Sequence, residues 1–284
     1  MSQEKKRLVR VTLLIVGIVL LTAIFAGCTG NNNSGASGTI KVTGSTTVLP
    51  IAQATADAFM KNHSKADIQI SGGGSGVGVT AAGDGTADIG MSSRDLTTSE
   101  VTKYPTLTKT TVATDCLVMI VHSSNTVTAL SVLQIKGIYN GTYKNWKDLS
   151  GPDLKITLVG RDSASGTREY FTSAVMSKQN TTAGMLELNS NGAVQSTVST
   201  TPGAIGYVGL GYAGAPNKAL KIVVGSEQIE ANSANALSGK YPLARPLFML
   251  TKGAPAGLAK TYIEFILSAK GQTIVEKEGF VRVK

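Results

Sequence analysis

The chain has 284 residues, 42% hydrophobic and 16% charged, with a formal net charge of +9. That length and apolar content suit one large or two medium globular domains and exclude an intrinsically disordered chain. Part of the charge sits in Lys5, Lys6, Arg7 and Arg10, and the remainder includes no basic run interleaved with aromatics, so no nucleic-acid surface is expected.

The N-terminus reads as an export signal. Charged "MSQEKKRLVR" precedes an apolar run from Val11 to Ala26, the order of a secretory signal. The run is short for a spanning helix, which needs roughly 20 residues, although an uncleaved anchor is the alternative. "FAGC" is similar to a bacterial lipobox, so residues 1–27 are expected to be a signal peptide and Cys28 to be lipidated. Residues 28–38, "CTGNNNSGASG", read as a flexible tether. The folded part is then extracytoplasmic, periplasmic or held at the cell membrane.

From Thr39 the pattern alternates strands and helices. "TIKV" is predicted as a strand, "VLPIAQATADAFMKN" as a helix with Pro50 near its start, "ADIQIS" as a strand, "GVGVTAAGDG" as a short helix and "ADIGMSS" as a strand. This βαβαβ order predicts an α/β sheet with parallel strands. "TTVATDCLVMIVH" is a long apolar strand, followed by helix and turn in "SVLQIKGIYNGTYKNWKDL". Strands are predicted at "KITLVG", "GAIGYVGLGY", "LKIVVG" and "ARPLFMLT", a helix at "REYFTSAVMS", and one closing amphipathic helix in "GLAKTYIEFILSAKGQTIVEKEG".

Three places repeat one local grammar of strand, Gly/Ser/Thr turn and helix: "VTGSTTVLP", "ISGGGSGVGV" and "VGRDSASGTREY". Each helix N-terminus carries partial positive charge and unpaired N–H donors, and hydroxyls add donors of their own. Ligands of α/β sheets sit beyond the carboxyl ends of strands, where all three turns lie. Small donors close round a tetrahedral anion where large side chains cannot, and Arg161 adds a charge-assisted contact. Neither a P-loop, a dinucleotide fingerprint nor a nucleophile elbow is present. Cys116 in "CLVMIV" reads as a buried filler, and His63 and His122 sit in unrelated settings. No metal site, cofactor or catalysis is expected.

The segments "TGSTTVLPIAQATADAF", "SGGGSGVGVTAAGDGTADIGMSSR", "IYNGTYKNWKDL", "GRDSASGTREYF", "TPGAIGYVGLGY" and "YPLARPLF" follow one another as in phosphate-binding proteins of phosphate ABC transporters. The resemblance covers Thr39 to the end. It implies a two-lobed, type II periplasmic-binding-protein-like α/β fold with two hinge strands, and inorganic phosphate in the cleft. Residues 39–114 and 211–284 would form one lobe and 115–210 the other. Carried over residue by residue, Ser45, Thr46 and Thr47 would meet phosphate from the first turn. Ser75 and Gly76 would do so from the second, and Arg161, Ser165, Gly166, Thr167 and Arg168 from the third. Trp146 would be structural.

Better-known members place an Asp after the "DIG" strand to accept the proton of hydrogen phosphate, which rejects sulfate. Here Ser93 stands there, with Arg94 next. Asp115, paired with Arg94 on the hinge strand, is the expected substitute, ahead of Asp162 and Asp95. The resemblance further implies a monomer, tethered to the membrane by its lipid anchor, delivering phosphate to a permease. Sulfate, molybdate or tungstate as ligand, or a phosphate-sensing role, are the alternatives.

Overall fold

The computed structural model describes residues 36–283. The expectations of a signal peptide, of lipidation at Cys28 and of a tether fall largely outside that range. In chain order, β1 (Gly38–Gly44), α1 (Leu49–Met60), β2 (Ala66–Ser71), α2 (Ser75–Asp84) and β3 (Ile89–Ser92) form the expected βαβαβ unit. Strand β1 lies between β2 and β3, and both pairings are parallel. Pro50 sits in the first turn of α1, where its missing N–H costs no helical bond. Gly85, at φ 78°, ends α2 in the left-handed region.

After α3 (Thr98–Lys103), β4 (Leu107–Val121) runs for 15 residues and serves both halves of the fold. Its first part pairs antiparallel with β12 (Ala244–Lys252), from Leu107–Lys252 to Cys116–Ala244. Its last part, Leu117 to Val121, pairs antiparallel with β8 (Ala204–Gly209). Between β4 and β8 in the chain come β5 (Ala129–Ser131), α4 (Val132–Tyr139), β6 (Thr157–Arg161), α5 (Gly166–Ala174), β7 (Leu186–Leu188) and α6 (Asn191–Thr200). Then follow β9 (Lys218–Ala219), β10 (Lys221–Val224), β11 (Glu227–Ile229) and α7 (Ser233–Leu237), and after β12 the helices α8 (Gly257–Leu267) and α9 (Ala269–Lys277). The sheet order is β2-β1-β3-β12-β4-β8-β6-β7, with β9 also on β4 and a separate three-stranded sheet β11-β10-β5.

Two main cores lie on either side of the point where β4 changes partners. One gathers Val42, Ile51, Phe59, Ile89, Met91, Leu247, Tyr262 and Ile263. The other gathers Leu117 to Val121, Ile138, Trp146, Phe171, Val194 and Tyr207. Leu220, Ile222, Ile229, Tyr241 and Leu243 join the second core, although they lie within the 211–284 stretch assigned to the first lobe by resemblance. Trp146 is fully buried and donates its indole N–H to the Gly203 carbonyl at 2.9 Å, a structural role.

Secondary structure differs from the sequence expectations too: α3, β7 and α7 were not foreseen, and two further differences have a clear local cause. The closing helix is two helices, because Ser268 is extended (ψ 161°) and turns the chain. Its hydroxyl accepts from the Gly271 N–H at 3.2 Å, capping α9, and donates to the Phe265 carbonyl at 2.6 Å. Helix α6 has no counterpart in the sequence reading. Its signal was Ser190, whose hydroxyl accepts from the Ala193 N–H at 3.1 Å.

Candidate anion-binding site

The three small-residue turns come together between the two cores. The first follows β1 at Gly44, the second follows β2 and the third follows β6. The N–H of Gly76 donates to the Ala164 carbonyl at 3.1 Å, which joins the second turn to the third. Gly74 makes that approach possible: at φ 97°, a Cβ there would lie 2.5 Å from the Ala164 carbonyl oxygen. The hydroxyls of Thr47 and Thr167 lie 2.9 Å apart, joining the first turn to the third. Arg161 Nη2 donates to Thr46 Oγ1 at 3.2 Å.

Every hydroxyl in this group is buried: Ser45, Thr46, Thr47, Ser75, Ser93, Ser165 and Thr167 are each at most 6% exposed. The Ser45 hydroxyl accepts from the Thr47 N–H at 3.2 Å, and the Ser165 hydroxyl from the Arg168 N–H, also at 3.2 Å. Ser75 opens α2, with its Oγ 3.3 Å from that of Ser93 and accepting the Ser93 N–H at 3.0 Å. Gly166 opens α5 and faces Ser75 directly.

Arg161 is 1% exposed. Its Nε donates to the Leu188 carbonyl at 3.1 Å and its Nη2 to Asn189 O at 3.1 Å, while its Nη1 has no partner among the described residues. Burial lowers its pKa, yet a guanidinium stays charged in any protein setting. A buried cation with a free donor is stabilised by an anion placed against it.

Arg94 and Arg168, also expected at the ligand, are engaged by carboxylates and carbonyls outside this group. Arg168 Nη1 donates to the Arg161 carbonyl at 2.9 Å and pairs with Glu187 at 2.8 Å, so it braces the third turn from outside. Arg94 forks onto Glu100 with two bonds of 2.7 Å. Its Nε lies 2.5 Å from Glu169 Oε2, an ion pair whose N–H points off the line of a hydrogen bond. Because Glu100 stands on α3 and Glu169 on α5, Arg94 ties one side of the fold to the other. The expected Arg94–Asp115 pair is therefore absent.

Asp115 is fully buried and pairs instead with Arg245, from β12. Arg245 Nε and Nη2 donate to Asp115 Oδ2 at 3.0 and 2.8 Å, and the Leu210 N–H donates to Oδ1 at 2.8 Å. Burial raises the carboxyl pKa on balance, although Arg245 and the Leu210 and Cys116 N–H groups draw it down. These donors fill the lone-pair positions of an ionised carboxylate, which holds Asp115 as the anion. Asp95 pairs with Lys109 on the exposed surface, and Asp162 Oδ1 is buried without a partner among the described residues.

Sequence reading missed two residues of the cluster. Asn191, the first residue of α6, donates to Thr46 Oγ1 at 3.1 Å and to Thr47 Oγ1 at 3.0 Å, and its Oδ1 accepts the Gly209 N–H at 3.1 Å. Arg245 also donates to Thr167 Oγ1, at 3.0 Å. The only sequence sign of Arg245 was its place inside "YPLARPLF". A cavity of about 610 Å³ beside α5 borders Ser165 and Arg168 but not Thr46, Ser75 or Arg161, so it lies outside the cluster.

The family model of the PBP superfamily domain matches residues 29–270. Fold and match together define a protein of the PBP superfamily class. Its relatives include the phosphate-binding protein PstS of Bacillus subtilis, 34% identical over 249 residues, covering 87% of this chain and 82% of that one. Another is PstS of Borreliella burgdorferi, 32% identical over 282 residues, covering 95% and 98%. Among solved structures, a Clostridium perfringens substrate-binding protein with bound phosphate superposes with a TM-score of 0.82 at 34% identity. It covers 87% of this chain and 100% of its own. The chain belongs to the family of these phosphate-binding proteins.

Proposed function

We propose that the protein captures inorganic phosphate between its two lobes and delivers it to the permease of an ABC transporter, without catalysing a reaction. The observation that carries this reading is the buried Arg161. Its Nη1 is free among the described residues, and it stands where the first turns of α2 and α5 meet the Thr46–Thr47 turn. The names of the relatives support the same ligand. Phosphate is held by Ser45, Thr46, Thr47, Ser75, Gly76, Ser93, Arg161, Ser165, Gly166 and Thr167. One lobe comprises residues 39–114 with 244–283 and the other 115–243, a division supported by the two cores. They turn about the β4–β12 pair near Cys116 and Ala244. Lipidated Cys28 holds the protein, as a monomer, outside the cytoplasmic membrane.

Calorimetric titration tests this. Phosphate binds the wild-type protein, and Arg161→Ala weakens it at least about 100-fold, since hydrogen bonds to a charged group contribute about 1.5–3 kcal/mol each. Phosphate binding unchanged in Arg161→Ala refutes the site. A sulfate titration run beside it decides the ligand, because Ser93 replaces the carboxylate expected there and Asp115 is engaged by Arg245. Sulfate bound as tightly as phosphate would make the protein a general oxyanion binder.

A further inference from the structure

We infer that Arg245 is a second cationic ligand of the anion, held in place by Asp115 and acting together with Arg161. This deepens the phosphate reading and rests on it. Arg245 is 2% exposed, and three of its contacts are internal: two to Asp115 Oδ2 and one to Thr167 Oγ1. Its Nη1 has no partner among the described residues, as is the case for Arg161 Nη1. Among the described residues these two buried guanidinium groups each keep a free edge, and one chain of hydrogen bonds joins them through Thr167, Thr47, Asn191 and Thr46. Asp115 offsets Arg245 and the half-buried Asp162 carboxylate acts on Arg161, but no carboxylate among the described residues bonds either Nη1, so both edges remain available to an anion.

The hydroxyls lead to the same conclusion. Arg245 donates to Thr167, and Thr167 and Thr47 share a bond of 2.9 Å. Whichever hydroxyl donates to the other, one O–H proton of the pair remains to point at a ligand. Asn191 and Arg161 both donate to Thr46 Oγ1, which leaves the Thr46 proton free as well. Arg245 therefore supplies one direct donor and helps orient a second. Asp115 is a positioning residue, because it fixes the guanidinium through Nε and Nη2 and leaves Nη1 turned away from the carboxylate.

Three measurements with inorganic phosphate test this. Arg245→Lys keeps the charge beside Asp115 but removes the fork, and is expected to weaken phosphate at least tenfold with unliganded melting little changed. The double variant Asp115→Asn/Arg245→Met removes both charges, so no unpaired ion is left buried if the lysine variant fails to fold. It is expected to weaken phosphate about 100-fold. In a crystal structure of the wild-type complex, Arg245 Nη1 should lie ~2.7–2.9 Å from a phosphate oxygen. A separation beyond about 3.5 Å there, or wild-type affinity in the variants, overturns the inference. If wild-type protein binds phosphate and Arg161→Ala does not, such a result removes Arg245 alone. If wild-type protein binds no phosphate, the functional reading itself fails.

Discussion

Gly166→Ala separates phosphate binding from folding. Gly166 is the first residue of α5, and a Cβ built on it lies 2.2 Å from Ser75 Oγ, 2.7 Å from Ser75 Cβ and 3.0 Å from Arg94 Cγ. Both neighbours belong to the opposite lobe in the division proposed above, and Ser75 is fully buried. The Ser75 hydroxyl can rotate, but its Cβ is fixed to the first turn of α2, so the closed arrangement must open slightly. Gly166 does not have a positive φ, so alanine fits its backbone and is the better helix former. Overpacking of this kind costs about 1–3 kcal/mol, which corresponds to roughly 5- to 150-fold weaker phosphate binding. Calorimetry measures the loss, and thermal unfolding without ligand should be unchanged or slightly raised. Wild-type affinity, or a fall in unliganded stability as large as the loss of binding, would refute the reasoning.

Two other expectations concern groups outside the anion cluster. Glu169→Gln breaks the tie from Arg94 across the lobes, and is expected to speed phosphate release up to about fivefold, the range of a half-exposed ion pair, with melting unchanged. Burial raises the pKa of Glu169 above its usual value, so the ion pair is present above that raised pKa and lost as pH falls through it. The difference between wild type and Glu169→Gln in stopped-flow release should accordingly vanish on acidification; a difference that persists at low pH contradicts the tie. Cys116 is fully buried, and burial pushes its thiol up to about 12. It should resist alkylation at pH 8 until the protein is denatured, and prompt reaction of native protein would show that the β4 core opens readily.

Much of the scaffold was legible in the sequence because its signals are local. Apolar spacing in "VLPIAQATADAFMKN", Pro50 near a helix start and Gly85 at a helix end each act within a turn or two of the chain. The closing helix was misread for the opposite reason: its apolar period continues through Ser268, and only the capping geometry of that serine breaks it. Arg94 looked like a ligand because it follows Ser93, yet its charge is taken by Glu100 and Glu169. Asp115 and Arg245 are 130 positions apart, and pairing them requires the antiparallel register of β4 with β12.

Sequence alone determined the three donor-rich turns and the arginine among them, because Gly, Ser and Thr between a strand and a helix set backbone geometry and hydroxyl supply locally. Tertiary structure decided which charges face the ligand. Whether a buried guanidinium is neutralised or left with a free edge depends on the carboxylates that folding brings beside it, and those lie on other strands and helices.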